Sequence, residues 1–120
     1  MTTDFTDRFL ANTYAEDQPV SFSVSTDSRS GRFSTEMPES IFARAISLGS
    51  AYGLHLLPTL ELYAETSLTK SQCDTFLGEV RFILGVVNDP LLGEHLRALA
   101  VALEKCVRAP GPAAMLIEGP

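Results

Sequence analysis

Basic side chains are scarce: nine Lys and Arg stand against fifteen Asp and Glu, a net charge of −6 with the two histidines neutral. A nucleic-acid binder neutralises phosphates with a surplus of positive charge, so an autonomous DNA- or RNA-binding role is not expected. Long apolar runs are missing as well. The richest patch, Leu91 to Val107, is broken by Glu94, Arg97, Glu104 and Lys105, and a membrane-spanning helix needs roughly 18 uninterrupted apolar residues. Two cysteines, Cys73 and Cys106, are too few for a disulfide framework or a four-ligand zinc site. His55 and His95 are the only imidazoles, with no acidic neighbour at ligand spacing, so no metal is assigned. Neither a phosphate loop, a dinucleotide fingerprint, a nucleophile elbow, a zincin helix nor an EF-hand spacing occurs. No catalytic residue and no cofactor is therefore assigned. The opening Met1-Thr-Thr-Asp-Phe-Thr-Asp7 has no basic region and no apolar core of a leader, which makes the cytoplasm the expected location.

What remains is a chain of 120 residues, 45% apolar and 20% charged, enough to bury a core and of a size for one domain. Residues 1–19 read as an acidic arm or short helix, with Asp4, Asp7, Glu16 and Asp17 against Arg8, and residues 20–120 as a single domain. Val20-Ser-Phe-Ser-Val-Ser25 alternates strictly, the period of a half-buried strand, and a polar turn at Thr26–Gly31 returns the chain through Arg32–Met37 as a hairpin. Pro38 suits the first turn of a helix on which Ile41, Phe42, Ala45 and Ile46 share a face, ended by Gly49 or Gly53. Thr59–Glu65 alternates again and predicts a strand, with Leu60, Leu62 and Ala64 inward and Glu61, Tyr63 and Glu65 outward.

Thr69 and Gln72 have the spacing of a capping box and open a helix to about Val87. Asp89 as N-cap with Pro90 behind it opens the last helix, whose apolar face is Leu92, Leu96, Leu99, Leu103 and Cys106. Ala113–Glu118 reads as a final strand. The order β-β-α-β-α-α-β predicts an α+β fold: a small, mostly antiparallel sheet of about four strands with helices on one face, including an antiparallel helical hairpin. A three-helix bundle with frayed ends is the alternative.

Three features invite a functional reading. Cys73 lies fifteen residues before Asn88 and Cys106 seventeen after Asp89, which at about 1.5 Å per residue puts both thiols at the same open end of the hairpin. They are either two buried, reduced packing groups or a redox-linked clasp. Asp74, Gly78, Arg81, Gly85 and Asn88 form a stripe opposite the Phe76–Val80–Ile83–Val87 face. Two glycines within one helix cost about 1 kcal/mol each relative to alanine, so the stripe is either a strip that a partner backbone approaches beside Arg81 or a place where another element of the domain crosses. Glu61, Tyr63 and Glu65 form an aromatic flanked by carboxylates on a strand face, suited to a basic partner or to plain solvent exposure.

Size, acidity and the lack of catalytic signatures are the profile of bacterial immunity proteins and antitoxins, which cap a cognate toxin, although no motif identifies such a family. The expectation is a non-enzymatic protein-binding domain that uses Glu61, Tyr63, Glu65, Asp74 and Arg81 to meet another protein, a basic toxin domain being the type of partner in view. A small enzyme or ligand-binding domain with a pocket between sheet and helices, using His55, Glu61 or Tyr63, is the second reading. A homo-oligomeric subunit pairing through a strand face or edge is the third.

Overall fold

The computed structural model describes residues 18–26 and 33–120. The acidic arm and the turn at 27–32 lie outside the described residues. Four strands, β1 (Pro19–Thr26), β2 (Phe33–Pro38), β3 (Glu65–Thr69) and β4 (Ala113–Glu118), form one antiparallel sheet in the order β2-β1-β4-β3. Helices α1 (Glu39–Ala51), α2 (Lys70–Val86) and α3 (Pro90–Arg108) pack on one side of it. The architecture is the α+β layer expected from the alternation of short strands and amphipathic helices.

Alternation in β1 sets the layers. Val20, Phe22 and Val24 are buried against the helices, while Ser21, Ser23 and Ser25 point the other way. Register carries the same division across the sheet: Met37 joins Val20, and Met115 and Ile117 join Val24 and Phe22 on the inner side. Phe42 of α1 closes on Phe22 edge to face, with centroids 5.2 Å apart and planes at 87°. From the other helices come Cys73, Phe76, Val80 and Ile83, and Leu92, Leu96, Leu99, Leu103 and Cys106, all buried.

Helix boundaries follow local chemistry. Thr69 and Gln72 complete the capping box, the threonine hydroxyl accepting from Gln72 N at 3.2 Å and the Gln72 side chain from Thr69 N at 2.9 Å. Asp89 caps α3 by accepting from Leu92 N at 3.2 Å. Of the two glycines offered as the end of α1, Gly53 is the one that acts. Its φ of +69° turns the chain, and Gly53 N and Leu54 N donate back to Ser50 O and Gly49 O, a Schellman termination.

The expected strand at Thr59–Glu65 is corrected: β3 begins only at Glu65. Pro58 lies in the 3-10 turn Leu57–Thr59, and residues ahead of Glu65 have no ladder to join, because β4 pairs with β3 no further than Glu118 opposite Glu65. The inward and outward sense of the side chains survives this change. Leu60 is buried and Leu62 partly so, with Glu61 and Tyr63 exposed, because the segment is pinned from both ends rather than paired as a strand. One pin is Gly119, where a Cβ would clash with the Leu62 carbonyl oxygen and fall 2.7 Å from Tyr63 Cα. Only glycine allows that approach.

Candidate functional site

The outward side of the sheet is built by the same alternation that fills the core. Across it, Glu36 of β2, Ser21 of β1, Glu118 of β4 and Glu65 of β3 form one row in register. All three carboxylates are exposed. Glu65 and Glu118 are direct cross-strand neighbours, an arrangement that is destabilising for like charges. The next row, Ser34, Ser23, Leu116 and Ser67, carries no charge, and no described strand residue is a lysine or arginine. Tyr63, 71% exposed, and exposed Glu61 enter from the turn just ahead of Glu65.

Sequence reasoning thus grouped Glu61, Tyr63 and Glu65 on grounds that the turn replaces, and it missed Glu36 and Glu118. The signal for Glu118 was present in the outward phase of Ala113–Glu118; what was absent was the register that sets it beside Glu65. Asp74 and Arg81 do not join this row. They project from α2 in the helical layer, with Gly78 and Gly85 between and beyond them, all exposed. Neither glycine has any described neighbour near the position of a Cβ, so no other described element crosses there. Arg81 is ion-paired with Glu104 of α3 across the hairpin.

Beneath the surface turn lies the one buried glutamate among the described residues. Glu79 of α2 accepts three backbone N–H bonds, from His55 at 3.2 Å, Leu56 at 2.8 Å and Leu57 at 2.9 Å. These are N–H groups at the start of the 3-10 turn, without partners of their own in so short a helix, and a carboxylate satisfies all three with charge-assisted bonds. Glu79 is therefore the second pin on the segment that carries Glu61 and Tyr63. His55 offers its backbone here while its side chain is exposed. On α3, burial lowers the pKa of the partly buried His95, and Glu94 opposes the shift.

Cys73 and Cys106 meet as the hairpin geometry predicts, both free, fully buried and hydrogen-bonded to each other. Burial and the Cys106 thiol push the Cys73 pKa up from 9.0 to about 12, against a smaller lowering by a hydrogen bond with the Met115 backbone. A thiol held this way supplies almost no thiolate at neutral pH. Ellman titration of the native protein is expected to find neither cysteine reactive within the time that exposes both in denaturant. Rapid reaction of either thiol in the native state would contradict the packing.

A cavity of about 340 Å³ opens among Ser23, Val24, Ser25, Phe33, Ser34 and Leu116, beginning at the uncharged row next to the acidic one and running toward the end of β1. His55, Glu61 and Tyr63 are not among those lining residues. Among the described residues no three His, Cys, Asp or Glu side chains are grouped to hold a metal ion, and no helix is long and apolar enough to cross a membrane. Compared with protein-family models, curated proteins and solved structures, the chain matches none.

Proposed function

We propose that the protein is a non-enzymatic protein-binding domain, an inhibitor of the immunity-protein or antitoxin type that neutralises a basic toxin domain by covering it. The observation that carries this reading is the Glu65–Glu118 neighbour pair, in line with Glu36 and beside exposed Tyr63. Like charges facing each other across two strands weaken the free protein by a few tenths of a kcal/mol up to about 1 kcal/mol. A cationic partner relieves that repulsion on binding. Carboxylates spread over neighbouring strands, spaced about 4.8 Å apart, steer such a partner during approach, and a rigid aromatic at the rim supplies an anchor. Asp74 and Arg81, on the helical side, belong to a separate contact.

The product of the neighbouring gene is the partner to test, because inhibitors of this type are encoded beside their targets. Glu65→Lys is expected to stabilise the free protein by about 0.5 kcal/mol, since it turns a like-charged pair into an opposite one. The same change is expected to slow association by about tenfold or more and to flatten its salt dependence. Tyr63→Ala is expected to raise the dissociation rate. An affinity that neither substitution alters would remove this face from the function.

A further inference from the structure

The solvent side of α2 carries a ridge in which Gly78, Phe82 and Val86 follow one another at single-turn spacing. Phe82 and Val86 are 43% and 46% exposed, and Tyr52, 47% exposed, leans edge-on against Phe82 with centroids 5.4 Å apart. Scattered apolar side chains on a surface are ordinary; here three adjoin in one patch. Gly85 borders the patch and, like Gly78, leaves open space where a side chain would stand.

We propose that this ridge seats a second copy of the chain, in a two-fold antiparallel α2–α2 contact centred on Phe82. Two observations select a copy of this chain over another occupant. The first is shape. Gly78 and Val86 lie four residues to either side of Phe82, so an antiparallel copy sets Gly78 against Val86 of the partner subunit, and Val86 against Gly78 of the partner subunit. Small meets large on both sides of the axis, as a self-complementary interface requires.

The second is charge. Copies of a chain with net charge −6 repel each other wherever acids dominate, as on the outward sheet face with its three carboxylates. Exposed α3 is densely charged, with Glu94, Arg97, Lys105 and Arg108. The exposed charges of α2 are Asp74 and an Arg81 already neutralised by Glu104, and the partly buried Lys70 at its first turn gives its ammonium to the carbonyl oxygens of Ala109 and Gly111. Contact through α2 therefore carries a smaller electrostatic penalty than contact through the sheet face or α3. It also leaves both acidic sheet faces pointing outward, so the inference stands independently of the toxin-inhibitor reading.

Sedimentation velocity on the full chain, over a wide range of concentration, tests it. The wild type is expected to approach twice the monomer mass of 13.0 kDa, and Phe82→Asp to stay monomeric with unchanged circular dichroism. Gly78→Leu is the sharper variant. Its side chain enters open space in the single subunit and improves helix propensity, so thermal stability at monomeric concentration rises while dimerisation weakens by about tenfold or more. A monomeric wild type at every concentration overturns the proposal, as does a dimer that both variants leave intact. A monomer that captures a different protein through Phe82 overturns it too.

Discussion

Replacing Glu79 with alanine is expected to lower the unfolding free energy by about 3 kcal/mol, measured by urea denaturation. The carboxylate holds three backbone N–H groups, and the Leu57 bond lies fully inside the protein. A hydrogen bond to a charged group contributes about 1.5–3 kcal/mol, and an orphaned buried donor adds a penalty of similar size. Two discounts apply. His55 and Leu56 sit nearer to solvent and regain water, and alanine is the better helix former by a few tenths of a kcal/mol. Glu79→Gln is expected to lose about 2 kcal/mol, since one of its two terminal atoms becomes an NH2 facing N–H donors. Amide exchange of Leu56 and Leu57 should accelerate in both variants more than that of the β1 amides. A loss below about 1 kcal/mol for the alanine variant would mean that these N–H groups are served by water. Because the same turn leads into Tyr63, binding through the acidic face is expected to weaken as well.

Glu79 shows why the site was harder to read from the sequence than the fold. Elements whose signals are local were legible: the serine alternation of β1, the Thr69–Gln72 capping box, and Asp89 with Pro90 behind it each act within four residues of themselves. Phe76, Val80 and Ile83 gave the buried face of α2, and Glu79 sits on the flank of that face, three residues from Phe76 and four from Ile83. A carboxylate there is a signal that something polar must come to meet it. Which segment comes is a matter of tertiary placement, more than twenty residues away along the chain. The misplaced strand has the same origin. The alternation of Leu60, Leu62 and Ala64 describes burial correctly, but pairing depends on where β4 ends, which no periodicity in residues 59–65 reports.

The acidic row extends this point to function. Glu36, Glu65 and Glu118 are scattered over eighty residues of sequence and are unremarkable singly, yet three registers bring them into one line. The stripe of α2 was visible in full because helical spacing is local, and what the sequence lacked was the Arg81–Glu104 pair that neutralises it. The result is a molecule with two unlike surfaces: a sheet side with three exposed carboxylates in one row, and an α2 face whose exposed charges are Asp74 and the ion-paired Arg81.

Asp89→Ala is the second large effect expected, a loss of about 3 kcal/mol, because one buried carboxylate serves two purposes. One oxygen caps α3 through Leu92 N, and the other is ion-paired with Arg44 of α1. Loss of an N-cap acceptor costs about 1 kcal/mol. Loss of a partner for a charge in a low-dielectric site costs about 3–5 kcal/mol when that charge is fully buried. The Arg44 side chain is 33% exposed and reaches water in part, so this second contribution is the smaller half of that range or less. Asp89→Ser separates the two: it keeps a capping oxygen and drops the ion pair, and is expected to lose about 2 kcal/mol. Adding Arg44→Met to Asp89→Ser should restore part of that loss, because it removes a charge that has lost its Asp89 partner while its thioether fills the same space. If the double variant is less stable than Asp89→Ser alone, Arg44 contributes chiefly through its other contacts, and the coupling between α1 and the start of α3 does not run through this pair.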